Sequence, residues 1–331
     1  MIDKNFCLNL FIAFRYIFKE GIDFYNNMKH ENFELIPIEE KIPVKTAEDI
    51  DFEIKKQFDK LYQKYDKIGI LLSDGMNSGI LASYLKPRSN AYRFSTIVSE
   101  VYNLEIVDRA KKYCNKFSLN MTYIDISFED YKKYTPIVME TKATPIHSIE
   151  PQIYKAALNV KLNSDDLIIV GESVDLIFGE MDKLISKDWK FNDFVKRYTL
   201  LEPELVLTNT TDVSALYERY RLDNGKIDFL KFMDSSEPYL NAFNTANQEY
   251  YDPHTYLIME NKLDSNRIRN GESKYLIREL YSIKYPEKIP MPRPVDLIFK
   301  NWEGAKRKEF KMDILTGNQK WQLWCAELFL N

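Results

Sequence analysis

Ser73, Gly75 and Ser78 sit in one polar turn, Ser73-Asp74-Gly75-Met76-Asn77-Ser78-Gly79, that follows a short apolar run. Such a turn offers backbone N–H groups, two hydroxyls and a helix N-terminus, a set that suits a phosphate. The same residues also make an ordinary capped strand-to-helix connection, and the lysine and spacing of the GxxxxGKS/T nucleotide loop are missing. A second polar turn, Gly171-Glu172-Ser173-Val174-Asp175, also follows an apolar run. Its two carboxylates could serve a reaction or simply complement a helix dipole. Cys7, Cys114 and Cys325 are far apart and form no CxxC pair, and His30, His147 and His254 are equally scattered. A disulfide framework, a zinc ribbon and an HExxH metal site are therefore all disfavoured. What remains is chemistry run on carboxylates, a lysine and a bound nucleotide.

These turns need elements to hold them. Residues 67–72 read as a strand buried on both faces, leading through the first turn into a helix over 80–85 that ends at Pro87. Strands over 92–98 and 121–126 precede helices over 104–117 and 128–138; a helix over 151–162 leads to a strand over 166–170 and the second turn. Strands alternating with helices predict an α/β fold, a parallel sheet flanked by helices. In such a sheet ligands bind beyond the carboxyl ends of the strands, where both polar turns fall. Upstream, 47–65 has helical spacing with Thr46 as N-cap, and an aromatic-rich opening at 11–18 is followed by polar, hairpin-like chain. Residues 190–250 and the last third read as mostly helical, clearest at 274–282, before Pro286, Pro290, Pro292 and Pro294 impose an extended segment.

Composition narrows the class. The 331 residues are 45% hydrophobic, enough for a sizeable core, and the formal charge of −4 gives no whole-protein drive toward nucleic acid. Lys306-Arg307-Lys308 is a small basic patch best read as a solvated face. No apolar run reaches the ~18 residues of a membrane span, and the opening segment lacks a signal-peptide cleavage site. A cytoplasmic protein without nucleic-acid or membrane partners is expected.

Four segments together resemble one family. Leu71-Leu72-Ser73-Asp74-Gly75-Met76-Asn77-Ser78 resembles LLSGGLDS, the pyrophosphate-binding loop of glutamine-dependent asparagine synthetases. Val170 through Gly179 resembles that family's SGEGADELFG, and Gly271 through Glu279 its TKYLLRE helix. Phe14 through Ile22 is similar to the segment that joins the family's two halves. The resemblance implies an adenine nucleotide α-hydrolase-like fold, the PP-loop ATP pyrophosphatase type, over 56–331 with a helical C-terminal part, and an N-terminal extension over 1–55.

It also implies a reaction: a carboxylate attacks the α-phosphorus of ATP with Mg2+, and an amine or ammonia then attacks the acyl-adenylate. Ser73, Gly75 and Ser78 would cradle pyrophosphate, while backbone near Leu71, Ile97 and Gly171 would hold the adenosine. Lys274 would stabilise charge on the phosphates, Glu172 would orient or deprotonate the amine, and Asp175 would hold magnesium. Arg293 falls where the family has a basic residue. The glutaminase half is not expected here, since residue 2 is Ile2 and the stretch before the loop is short. Ammonia from solution, a separate glutaminase subunit or another amine would serve, and a homo-oligomer is compatible. A sugar acid or another biosynthetic carboxylate is at least as expected a substrate as aspartate.

Departures fall in the loop itself. Asp74 replaces a family glycine and Asn77 replaces a magnesium-binding aspartate, suggesting that Asp74 supplies the carboxylate lost at position 77; Leu176 and Glu180 also depart. The contrasting expectation is a catalytically weakened nucleotide-binding scaffold. A tRNA-thiolase type of chemistry is disfavoured by the unpaired cysteines.

Overall fold

The computed structural model describes every residue except 16, 18–20, 26–35, 95–99, 180–187, 229–241, 287–315 and 331, and only the backbone of 94, 100–106 and 176. The elements, in chain order, are α1 (Lys4–Phe14), β1 (Ile42–Val44), α2 (Ala47–Lys64), β2 (Ile68–Leu71), α3 (Met76–Ala82), β3 (Asn90–Phe94) and α4 (Glu100–Phe117). Then come β4 (Asn120–Ile124), α5 (Phe128–Lys142), α6 (Glu150–Leu162), β5 (Leu167–Ile169), α7 (Val174–Phe178), α8 (Phe191–Tyr198) and α9 (Val213–Tyr217). The chain continues with α10 (Ala242–Thr245), β6 (Tyr250–Tyr251), β7 (Leu257–Met259), α11 (Ser265–Arg269), α12 (Tyr275–Lys284) and α13 (Gly317–Leu330).

Five strands form one sheet in the order β4-β3-β2-β5-β6, every pairing parallel. Alternate residues feed opposite faces, as the two-residue period of a strand requires. Leu167 and Ile169 join the core that holds Ile68 and Ile70, whereas Ile168 and Val170 join the core on the other side with Tyr92. Both faces are thus buried under helices, which is why these strands read as unbroken apolar runs. No helix among the described residues is long and apolar enough to cross a membrane.

The ends of the chain are tied to this body. α1 packs on α13, with the Phe24 and Phe329 rings 5.0 Å apart, and β1 pairs in parallel with β7, Ile42 opposite Leu257. Thr46 caps α2 in a reciprocal box with Asp49, the N-cap expected from sequence. Apolar spacing alone had not marked β1, β6 and β7, which are two or three residues long. The helix expected over 80–85 starts earlier, at Met76, with Gly75 as its N-cap. Gly79 therefore lies inside α3, where a Cβ would meet the Tyr113 ring at 2.7 Å. It is a packing glycine, not a turn glycine.

Candidate functional site

The chain leaves β2 toward β3 on one side and later returns to β5 on the other, so β2 and β5 are neighbours at a switch of strand order. Connections leaving such a pair diverge and open a crevice at the carboxyl end of the sheet. The two polar turns flank it. They also abut: a Cβ on Gly171 would meet Leu81 Cδ1 of α3 at 2.9 Å, so glycine is what lets the second turn approach the helix.

The first turn is closed on itself. Ser73 N donates to Ser78 Oγ at 3.0 Å, Gly75 N donates to Ser73 Oγ at 3.1 Å, and the two hydroxyl oxygens lie 2.7 Å apart. The Ser78 hydroxyl donates in turn to Ser73 O at 3.1 Å. Two hydroxyls held against each other at the start of α3 can rotate toward an anion without moving the backbone. Gly75 leaves no side chain to cap α3.

Asp175 is the meeting point of the remaining residues. Its Oδ1 accepts from Asn77 Nδ2 at 3.1 Å and from Lys274 Nζ at 3.0 Å. Lys274 is not the exposed lysine of an amphipathic surface: the residue is 5% exposed, a depth at which lysine is normally paired. It takes the left-handed conformation, φ 52°, as N-cap of α12, a backbone state uncommon for a residue with a side chain and often met at functional sites. Its N–H donates to Gly179 O at 3.3 Å. Gly179, with φ +76°, closes α7, and a Cβ there would meet Ile268 Cδ1 at 2.8 Å. Glycine at 179 thereby lets the end of α7 lie against Ile268 of α11.

Asn77 Oδ1 is buried and accepts no hydrogen bond among the described residues. Reversing the amide would set that oxygen against the Asp175 carboxylate, so the orientation with Nδ2 toward Asp175 is the one electrostatics favours. With a cation between them the reversed amide becomes the favourable one, and its oxygen and the carboxylate form a set that fits a hard cation such as magnesium. Among the described residues, no group of three histidine, cysteine or acidic side chains converges as a metal site.

Asp74 points elsewhere. It is 1% exposed, and its Oδ2 lies 3.1 Å from Arg109 Nη2 of α4. Tyr113, one turn further along α4, donates to Asp74 O at 3.4 Å. The extra carboxylate in the loop is thus neutralised by an arginine and clamped to a helix. Glu172 and Gly171 lie in the second turn, and Leu71 ends β2 opposite Tyr92. Ile97, Arg293 and the Lys306-Arg307-Lys308 patch lie outside the described residues.

Sequence reasoning did not find Arg109, nor Asp252 and His254, which reach the second turn from the end of β6. Arg109 lies one helical turn before Tyr113, and only the fold shows what that face meets. Asp252 carried one signal, the Asp-Pro pair that opens a short helical turn. The three thiols are buried; burial pushes Cys7 up to about 12 and Cys114 up to about 11, so neither is a ready nucleophile at neutral pH.

No family model and no curated protein matches the chain. Solved structures similar to it include an NH3-dependent NAD synthetase from Campylobacter jejuni, 15% identical with a TM-score of 0.29, covering 76% of this chain and 100% of that one. An NMN synthetase from Francisella tularensis is 10% identical, TM-score 0.29, over 76% of this chain and 99% of its own. The U34-tRNA thiolase NcsA from Methanococcus maripaludis, with its 4Fe-4S cluster, is 14% identical, TM-score 0.33, over 86% and 80%. Likeness at this level assigns no function to the chain.

Proposed function

We propose that the chain is an ATP-dependent, AMP-forming ligase of the PP-loop pyrophosphatase type, akin to the synthetase half of asparagine synthetases. One observation carries this reading: Asn77, Asp175 and Lys274, from three motifs far apart in sequence, converge on one carboxylate at the switch of strand order. An oxygen of a carboxylate substrate would attack the α-phosphorus of ATP, forming an acyl-adenylate and releasing pyrophosphate. The nitrogen of ammonia or another amine would then attack the acyl carbon, releasing AMP.

The geometry of the loop and of the Asp175 cluster supports these roles. Ser73 and Ser78 turn their hydroxyls from each other to the departing pyrophosphate. Lys274 exchanges its bond to Asp175 for the phosphates, a preorganised charge where charge develops. Asp175, with Asn77 Oδ1, would hold magnesium, which when bound neutralises the phosphate oxygens. Glu172 would accept a proton from the attacking amine. Asp74, spent on Arg109, fixes the loop rather than the metal. A small biosynthetic carboxylate such as a sugar acid, an amine or ammonia, and a separate glutaminase are the partners proposed with it.

A second reading, a scaffold with weakened chemistry, draws on the amide at Asn77 and on the lack of a three-ligand cluster among the described residues. Thermal unfolding with ATP, with and without magnesium, separates the two. A ligand at ~100 times its Kd stabilises by about 2.7 kcal/mol. We expect a magnesium-dependent upward shift that Asp175→Ala abolishes, and AMP release on the right carboxylate. No shift at millimolar Mg-ATP would favour the scaffold.

A further inference from the structure

Asp252, at the end of β6, is 4% exposed, and every oxygen of its carboxylate is engaged. Oδ2 accepts the N–H of Glu172 at 2.9 Å and that of Ser173 at 2.8 Å. Oδ1 accepts the N–H of His254 at 3.0 Å and lies 3.1 Å from His254 Nδ1. His254 is fully buried, its ring edge-on to Phe178, the last residue of α7. Ser173 Oγ and Thr255 Oγ1 lie 2.9 Å apart, a further tie between the same two segments.

Two successive amides at the start of a helix are what an anion looks for. In the second turn both are already held by the protein's own buried carboxylate. We infer that Asp252, backed by His254, is the positioning residue of the second turn: it withholds the Glu172 and Ser173 amides from phosphate and presents Glu172 and Asp175 as the groups that handle cations. Phosphate contacts then fall to the Ser73–Ser78 loop and Lys274, and the attacking amine and metal to the second turn. This division of labour rests on the nucleotide reading above.

The test follows amide hydrogen exchange in the full chain, resolved at Glu172 and Ser173, in the native protein, Asp252→Asn and Asp252→Ala. Binding of Mn2+ is measured beside it by electron paramagnetic resonance with a non-hydrolysable ATP analogue. Asparagine keeps one oxygen for the two amides; alanine keeps none. We expect slow exchange in the native chain despite the turn's position outside helix and strand, nearly native exchange in Asp252→Asn, and fast exchange confined to the turn in Asp252→Ala. Mn2+ affinity should fall about 10- to 100-fold in Asp252→Ala, the usual cost of losing a residue that orients a ligand, and less in Asp252→Asn.

Fast exchange at Glu172 and Ser173 in the native chain would overturn the inference, a result that stands even if Asp252→Ala does not fold. So would equal loss in both variants, or acceleration spread evenly over β2 and β5. Slow native exchange without nucleotide or Mn2+ binding would instead sink the nucleotide reading, and the division of labour with it. Binding with unprotected amides would sink this inference alone.

Discussion

At Asp175 two donors share one oxygen, and the two differ in what their loss should cost. Lys274 is 6% exposed at its side chain but Asp175 is 41% exposed, so water can replace the ammonium at the carboxylate. Such half-exposed pairs contribute about 0–1 kcal/mol to folding. Lys274→Met should therefore leave Tm nearly unchanged. Its effect should fall on nucleotide affinity, where a hydrogen bond to a charged group is worth about 1.5–3 kcal/mol, roughly ten- to hundredfold in Kd. Calorimetric titration of Mg-ATP into the variant checks this, and an unchanged Kd would take Lys274 off the phosphates. The left-handed backbone at residue 274 was invisible in the sequence, since its TKYLLRE-like context reads as plain helix from Lys274 onward. In the structure the helix begins one residue later, at Tyr275, which frees Lys274 to turn inward.

Among elements, α4 has the clearest influence on the site. It reaches the first turn through Arg109 on the Asp74 carboxylate and Tyr113 on the Asp74 carbonyl. Removing either end of the ion pair should not cost the same. Arg109→Ala takes the guanidinium from a carboxylate that is 1% exposed, whereas Asp74→Gly releases an arginine whose side chain is 33% exposed and can turn to water. We expect about 2 kcal/mol for Arg109→Ala, less for Asp74→Gly, and recovery of most of the loss when both are combined. Urea midpoints of the four proteins test the cycle. The parallel sheet itself was legible, because strands buried on both faces leave apolar runs that no surface demand interrupts. β1 and β7 were not, since Ile42-Pro43-Val44 and Leu257-Ile258-Met259 are too short to show a period and become strands only by pairing with each other. Asp74 was legible as a departure but not as a solution, because Arg109 is a contact across elements.

Over the whole molecule, one half-buried histidine should set the acid limit of stability. His147 is pushed down to about 3 by burial, with the charges of Arg15 and Lys142 adding to it. The unfolded chain takes up a proton near pH 6.5 and the folded chain does not, so stability is fully present above that value and is lost as pH falls below it. Between pH 7 and pH 5 this amounts to about 2 kcal/mol. Glu150, raised by burial, works in the opposite sense and is common to both proteins when the native chain is compared with His147→Gln. That difference should shift by about 2 kcal/mol against the native chain from pH 7 to pH 5 in urea unfolding; a constant difference would place the proton elsewhere. The site's parts lie far apart along the chain. Asn77 and Asp175 are 98 residues apart, and Lys274 lies 99 beyond Asp175. During synthesis the five strands of the sheet, the last ending at Tyr251, are all made before the lysine that completes the cluster. A nascent or truncated chain can thus own a finished sheet and a half-charged crevice, and the arrival of α12 is the event that turns scaffold into site.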